Sequence, residues 1–515
     1  LIRIWSVESD PKIAGGNEDA TPVAVIDIGS NSVRLVVYER LTRALTVLYN
    51  EKSSSGLGRG VAATGNLADE TIARALKAVQ RFALVCRLME VGQIYAFATS
   101  ATRDAGNGPA FTKAVEAIIG VKVHVMSGRE EAHFGALGVV AGMPGFEGVV
   151  GDLGGGSLEL ARVSGEGDMP GETFGLGGIR LQDDSGNDPV AAAQLARERL
   201  EESEILKDNP SHTFCAIGGT WRSIAKLIQT REKYPLHMVQ DYAVSAPRIL
   251  EICDMLVNDN GKKPVAGMES VSSSRRDLLP YGAAVLAEVV RKGGFERVVF
   301  SALGVREGYL YDRLDAQSRT IDPLIEATRE MCMLRARAPK FADDLIEGST
   351  ELLAISDIEE SRDEERLRRA VCYLSDIGWR AHPDYRGEQS VDMVAFSDIT
   401  GIGHAGRAFL AQTLAYRYMG FKQKSASAKL LALAGEALNL RARLIGAYFR
   451  VAYPLAAAMP GIAPRTRFAA DGKTLQLHLP ADLAFLDGVR LANRLRQLAT
   501  EAGFKDSRIV VEDTI

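Results

Sequence analysis

The chain has 515 residues, 46% hydrophobic and 25% charged, with a formal net charge of −5. That describes an ordinary globular protein of three or four domains, and it excludes a surface that attracts polyanions globally, so any such site must be local. Five scattered cysteines without a CxxC pair read as reduced, buried thiols of a cytoplasmic protein. No apolar stretch approaches the roughly 18 residues that span a bilayer, and neither a membrane nor a nucleic-acid partner is expected.

Residues 1–21 read as a disordered tail. Arg3, Glu8, Asp10 and Lys12 interrupt any signal-peptide core, and Leu1 in place of Met suggests a trimmed or alternative beginning. From there the pattern alternates strand and helix. Val23–Ile28 and Val33–Tyr38 are predicted as a hairpin pair and Ala44–Tyr49 as a third strand. Asp69–Met89 has helical apolar spacing, followed by a strand over Gln93–Thr99, a helix over Pro109–Ile119 and a strand over Lys122–Met126. The pattern restarts with a strand pair, Gly148–Leu153 and Leu158–Val163. Helices over 190–205, 218–227, 246–257, 276–291 and 304–314 follow, with strands at 214–217 and 297–301. Two α/β units in series, each opened by an Asp-x-Gly hairpin, describe two lobes with a cleft between them. Residues 320–450 are nearly all helical in pattern. A hairpin over Thr466–Phe468 and Thr474–Leu479, a helix over Arg490–Ala502 and a strand over Arg508–Glu512 then suggest a small α+β domain. The expected boundaries are a tail over 1–21, lobe I over 22–146, lobe II over 147–318, a helical domain over 319–440 and the α+β domain over 441–515.

The two Asp-x-Gly turns lie 125 residues apart. Asp27 matches Asp152, Gly29 matches Gly154 and Ser32 matches Ser157. Glycine lets backbone N–H groups come close to an anion, and serine adds a hydroxyl donor. Gly29, Ser30, Asn31 and Ser32, and Gly154, Gly155, Gly156 and Ser157, are therefore candidate phosphate cradles. One such turn alone reads equally as a tight hairpin; the matched pair is what points to a ligand. Alternation along a strand puts Ser157 and Glu159 on one face, so Asp152 and Glu159 are candidates for a Mg²⁺ ion shared with phosphate oxygens, with Asp27 a third. Taken alone, Glu159 is an ordinary strand carboxylate.

Ser127 and Glu130 fit a capping box, which leaves Glu131 the freer carboxylate. Arg103, expected at a strand end, suits phosphoryl charge. Arg59 sits in the glycine-rich run 56–60 and could approach a phosphate; either arginine could equally make a surface ion pair. Gly218 and Gly219 at a strand-to-helix junction are a further, weaker anion candidate.

Together these stretches resemble the exopolyphosphatase/guanosine pentaphosphate phosphatase (Ppx/GppA) family of the actin-like ATPase superfamily. The matching runs are 25–32, 98–103, 127–132, 151–160, 216–220 and 301–310, in the family's order. Ser-Gly-x-Glu-Glu-Ala and Ser-x-x-x-x-Arg-Glu-Gly are its most particular motifs. The resemblance implies two actin-like (ribonuclease H-like) α/β lobes flanking a cleft, then a helical HD-like domain and a small α+β C-terminal domain. It implies Glu131 as general base, Asp152 and Glu159 as Mg²⁺ ligands, the two glycine turns as phosphate binders and Arg103 as a neutraliser of developing charge. In the helical region, Leu374-Ser375-Asp376-Ile377-Gly378 stands where an HD phosphohydrolase has Leu-His-Asp-Ile-Gly. Ser375 replaces the histidine, which argues against a metal there even with His382 and His404 nearby. Arg380, Arg386 and Arg407 are candidate guides for a polyanion.

The expected function is Mg²⁺-dependent, processive removal of terminal phosphate from inorganic polyphosphate by a cytoplasmic homodimer. The alternatives are pppGpp 5′-phosphohydrolysis yielding ppGpp, a non-catalytic polyphosphate or alarmone sensor, and an ATP-dependent kinase or ATPase with a base pocket near 218–221.

Overall fold

The computed structural model describes residues 21–165, 169–207, 211–259, 265–421 and 428–512. Of the expected tail, residues 1–20 lie outside the described residues. The chain separates into two compact units, one over Asp19–Ile321 and one over Asp322–Ile515.

The first unit carries two sheets. β1 (Val23–Ile28), β2 (Ser32–Tyr38), β3 (Val47–Ser54), β4 (Gln93–Ala98) and β5 (Val123–Val125) stand in the order β3-β2-β1-β4-β5. β6 (Gly148–Leu153), β7 (Leu158–Val163), β8 (Gly171–Phe174), β9 (Thr213–Ile217), β10 (Tyr242–Ser245) and β11 (Arg297–Phe300) stand in the order β10-β11-β9-β6-β7-β8. The duplication read from the two Asp-x-Gly turns is thus a duplication of sheets. In each, an antiparallel hairpin (β1–β2, β6–β7) takes a third antiparallel strand on its outer edge (β3, β8) and a parallel strand on its inner edge (β4, β9). The central strands read as unbroken apolar runs because helices cover both their faces.

Differences from the sequence reading have local causes. β3 starts three residues later than expected and runs on to Ser54, because as an edge strand it is half exposed and its sequence is polar. β8 and β10 were not expected; both are four-residue edge strands of their sheet. The helix expected over 276–291 is two pieces, Ser273–Arg276 and Leu279–Gly293, with Pro280 opening the second. The helix expected over 190–205 ends at Leu200, and Glu204–Lys207 is a separate turn. Arg103 lies in a short helix, Ser100–Asp104, and not at the end of β4.

In the second unit, helices from Pro323–Arg335 to Ala428–Ala456 pack against the three-stranded sheet of β12 (Arg467–Asp471), β13 (Thr474–Pro480) and β14 (Asp506–Glu512). Leu475, Leu477 and Leu479 of β13 share one buried cluster with Leu345, Leu374, Phe409 and Phe449 of the helices. The position 440/441 falls inside the helix Ala428–Ala456. All five cysteines are buried and free. No helix among the described residues is long and apolar enough to cross a membrane.

Candidate active site

The two turns are built alike. Gly29 N–H donates to Ser32 O at 3.1 Å, and Gly154 N–H donates to Ser157 O at 3.0 Å. Each turn is then held from behind through its carbonyls. Gly58 N–H donates to Ser30 O, and Ser55 and Gly56 N–H donate to Asn31 O; Gly178 N–H donates to Gly154 O, and Ile179 N–H to Gly155 O. With the carbonyls turned outward and Gly29 and Gly154 occupied in closure, the N–H groups of Ser30, Asn31, Gly155 and Gly156 have no acceptor among the described residues. Successive free N–H groups in a turn are candidate anion donors, and of these four residues Ser30, Asn31 and Gly155 line the cavity beside the turns.

The two turns touch. A Cβ on Gly155 would stand 2.9 Å from Ser30 Cβ, and the Ser30 and Ser100 hydroxyls are 3.0 Å apart. Beside them opens a cavity of about 190 Å³, lined by Asp27, Gly29 to Ser32, Glu131, Asp152, Gly154, Gly155, Glu159, Gly218 and Gly219. Gly156 and Ser157 stand behind this wall, and Arg59 does not reach it. Arg59 is exposed and lines a separate hollow with Asp183 and Asp184, because its loop is committed to holding the first turn from behind.

Five carboxylates line the cavity: Asp27, Glu131, Asp152, Glu159 and Glu307. Asp152 and Glu159 are directly opposed partners across β6–β7, which places their side chains side by side on one face. Neither makes an ion pair among the described residues. Burial raises the Asp152 carboxyl to about 6 and pushes Glu159 well above the usual range, with the charges of Glu131 and Asp152 adding to the second shift. The Thr173 hydroxyl donates to Glu159 at 3.1 Å.

Glu131 opens the helix Gly128–Gly142. Ser127 and Glu130 form the capping box, with Ser127 N–H to Glu130 Oε2 at 2.8 Å, and His124 also meets Glu130 at 2.9 Å. Glu131 instead points inward, only 6% exposed. Its carboxylate accepts a hydrogen bond from Arg103, whose Nη1 also donates to Met126 O at 2.9 Å. Burial raises Glu131 to about 8 against the opposing pull of Arg103. The charge of Arg103 is therefore committed to Glu131 and Asp104. Asp27 likewise has a partner, Arg306 Nη1 at 3.0 Å. The carboxylates without a cation are Asp152 and Glu159.

Several residues of the site had drawn no role in the sequence. Arg34, Lys52, Arg222, Arg275, Arg306 and Glu307 also line the cavity. Arg34 was findable: the offset that pairs Asp27 with Asp152 pairs Arg34 with Glu159, and β1–β2 opposes Asp27 to Arg34 just as β6–β7 opposes Asp152 to Glu159. The duplicated hairpin thus presents a cation in one lobe and a carboxylate in the other. Arg306 and Glu307 belong to the Ser-x-x-x-x-Arg-Glu-Gly motif, and the structure gives that motif a physical purpose. Glu307 accepts from Gly304 N–H at 2.9 Å and Tyr38 Oη at 3.0 Å, Arg306 binds Asp27, and a Cβ on Gly308 would stand 1.8 Å from Phe134 O. The motif ties lobe II to lobe I. Lys52 and Arg275 carried no sequence signal.

Arg34, Lys52, Arg222 and Arg275 have no carboxylate partner among the described residues. Arg34 binds Asn50 at 2.8 Å, Arg275 binds Gly219 O at 2.7 Å and Arg222 binds Ala302 O at 3.1 Å. Burial and the charges of Arg275, Arg34 and Arg222 lower Lys52 to about 8; burial and Arg306 lower Arg222 to about 10. Cations that depress one another are the electrostatic mark of a site awaiting an anion.

Residues 36–317 match the model of the Ppx/GppA phosphatase family, and residues 324–509 match a second model described as exopolyphosphatase, C-terminal. The chain belongs to the Ppx/GppA phosphatase family. It is 30% identical over 314 residues to "Exopolyphosphatase 2" of Mycobacterium tuberculosis, covering 56% of this chain and 97% of that protein. It is 23% identical over 472 residues to "Guanosine-5'-triphosphate,3'-diphosphate pyrophosphatase" of Aeromonas hydrophila, covering 89% of this chain and 92% of that protein. Among solved structures, an exopolyphosphatase from Cytophaga hutchinsonii matches with a TM-score of 0.50 at 25% identity, covering 57% of this chain and 97% of that one. The family resemblance seen in the motifs is thereby shown, and with it the paired actin-like lobes.

Proposed function

We propose that this member of the family is an exopolyphosphatase that removes the terminal phosphate of inorganic polyphosphate with Mg²⁺, attacking through water. The observation that carries the reading is what one cavity gathers. Two carboxylates without an ion-pair partner among the described residues, a buried, arginine-held Glu131 and four cations equally without one line it together with the glycine turns. A chain of phosphates needs both kinds of group: cations and N–H groups for its oxygens, and a base for the water.

Asp152 and Glu159 fit the donor set of Mg²⁺, which takes one or two carboxylates with the rest from water and phosphate. When bound, the ion would neutralise phosphate oxygens and relieve the repulsion between two buried carboxylates. Glu131 accepts the proton from water as its oxygen approaches the terminal phosphorus. Arg103 holds that carboxylate in one orientation and keeps part of its population ionised despite burial. The N–H groups of Ser30, Asn31 and Gly155 hold the phosphoryl oxygens. Arg34, Lys52, Arg222 and Arg275 hold the following phosphates. Phosphoryl transfer asks for this kind of positioning and charge neutralisation more than for covalent help.

The second reading, pppGpp 5′-phosphohydrolysis, is favoured by one specific observation: the Aeromonas hydrophila relative aligns with nearly the whole chain, C-terminal unit included. The test is phosphate release from long-chain polyphosphate and from pppGpp, side by side, with Glu131→Gln as control. The first reading expects faster release from polyphosphate and a loss of about 10²–10⁴-fold in the variant. Preference for pppGpp selects the second. Tight binding of both without release replaces catalysis with sensing.

A further inference from the structure

The duplicated hairpins align three residues across each sheet. In lobe I the register sets Asp27 of β1 opposite Arg34 of β2, and Arg34 opposite Lys52 of β3. In lobe II it sets Asp152 of β6 opposite Glu159 of β7, and Glu159 opposite Thr173 of β8. Directly opposed residues hold their side chains side by side on one face. The two rows correspond, so Thr173 occupies in lobe II the place of Lys52 in lobe I. Asp27, Arg34 and Lys52 all line the cavity; of the second row Asp152 and Glu159 do, and Thr173 does not.

Thr173 flanks Glu159 on the side away from Asp152, because β7 lies between β6 and β8. Its hydroxyl donates to Glu159 Oε1 at 3.1 Å. Glu159 is only 2% exposed, and a carboxylate at that depth depends on the donors the protein gives it. A donor on one oxygen fixes the rotation of the carboxylate and leaves the other oxygen for a cation. Such partners behind a ligating group set its orientation.

Thr173 is itself held in place. A Cβ on Gly128, the first residue of the helix that carries Glu131, would stand 2.6 Å from Thr173 Cγ2 and 2.8 Å from its Oγ1. The absence of a side chain at Gly128 is what lets the helix seat on this threonine, whose branched Cβ is already stiff. A Cβ on Gly171 would stand 2.8 Å from Ala132 Cβ, so the same helix meets β8 again two residues away. On the opposite face of β8, Glu172 accepts from the Ser203 hydroxyl at 2.6 Å and from the N–H groups of Glu204 and Ile205 at 2.9 and 3.1 Å. A four-residue edge strand is thereby pinned on both faces, as a support for a precise site must be. Neither Thr173 nor β8 drew attention in the sequence.

We propose that Thr173 is a positioning residue, whose hydroxyl orients Glu159 toward the cation that this carboxylate shares with Asp152. The proposal rests on the reading of Asp152 and Glu159 as the Mg²⁺ pair.

Calorimetric titration of the full chain with Mg²⁺ alone, without phosphate, tests it on the parent, Thr173→Val and Thr173→Ser. Valine keeps the branched shape against Gly128 and removes the donor; serine keeps the donor and removes the branch. Thr173→Val is expected to weaken Mg²⁺ binding about tenfold or more, and Thr173→Ser to stay within about twofold of the parent. Thr173 is an exposed residue of an edge strand, so neither change opens the core, and thermal melts without Mg²⁺ report that each chain is folded. The Mg²⁺ concentration that gives half-maximal hydrolysis is expected to rise in Thr173→Val alone. Equal affinity in the parent and Thr173→Val overturns the proposal. Equal weakening by valine and serine overturns it too, because that reports lost packing and not a lost donor. Failure of the underlying reading is distinct: the parent itself then binds no Mg²⁺, and the proposal falls with it.

Discussion

Glu131 and Arg103 form an ion pair in which the carboxylate is 6% exposed while the guanidinium is anchored separately by the Met126 carbonyl. The pair is unequal. Burial raises Glu131 to about 8, so its partner only moderates the shift. A base must be ionised to accept a proton, and in the metal-free site the ionised fraction of Glu131 rises with pH through about 8. Mg²⁺ beside it favours the ionised form, and the acid limb of kcat against pH is expected to move down as Mg²⁺ is raised. A limb that ignores Mg²⁺ would separate the ion from this carboxylate.

Replacing Arg103 by Gln removes the one influence that lowers Glu131 strongly. The expected outcome is a drop of about 10–100-fold in kcat at pH 7 and an acid limb moved up by about one to two units. A loss of kcat with the limb in place would instead mean that Arg103 acts on the substrate.

The raised carboxylates also set stability. A carboxyl whose folded pKa lies above its unfolded value stabilises at low pH, and that contribution is lost as pH rises through the folded pKa. For Asp152 that window runs from 3.8 to about 6, and for Glu131 from 4.5 to about 8. Without Mg²⁺, Tm is expected to fall between pH 6 and pH 8.5. Glu159→Gln is expected to raise Tm at pH 8 by about 2–4 °C and to abolish the stabilisation by added Mg²⁺. Thermal melts with and without the ion decide it.

Lys52 governs the other limb. Neighbouring arginines and burial leave it titrating at about 8, so its grip on an anion weakens as pH rises beyond that value. KM for polyphosphate is expected to climb above pH 8 in the parent. Lys52→Ala should raise KM about threefold to tenfold at pH 7, leave kcat near its parent value and flatten that climb. The salt dependence of KM should fall with it.

The two lobes are tied by close backbone packing as well as by charge. Gly308 sits against Phe134 O so closely that a Cβ would stand 1.8 Å away, and the helix Val305–Tyr311 that carries it also carries Arg306 and Glu307. Gly308→Ala is expected to cost about 1–3 kcal/mol, as overpacking does, and to lower activity through the displaced Arg306–Asp27 pair. Denaturant unfolding and kcat measured together separate it from a purely local defect.

The repeat of the Asp-x-Gly turn, the strand pairs around it and the capping box at Ser127 were legible because each is a local pattern. Hairpin register, turn closure and helix capping all act within a few residues of chain. They led to two like lobes, to a cleft between them and to Asp152 and Glu159 as neighbours, while Glu131 was singled out by the family resemblance. The partners of those residues were not legible. Arg103 meeting Glu131 and Arg306 meeting Asp27 are contacts between segments 28 and 279 residues apart, and the charge of Arg275 acts on Lys52 from 223 residues away in the chain. A lone arginine or lysine carries no mark of which carboxylate will neutralise it, or whether any will. The sequence by itself determined the paired glycine turns and the carboxylates Asp27, Asp152 and Glu159 beside them. Only the tertiary structure decided which of them keep a free charge, because ion pairing and desolvation are settled by the packing of distant segments, as Asp376, claimed by two arginines, and Glu159, claimed by none, both illustrate.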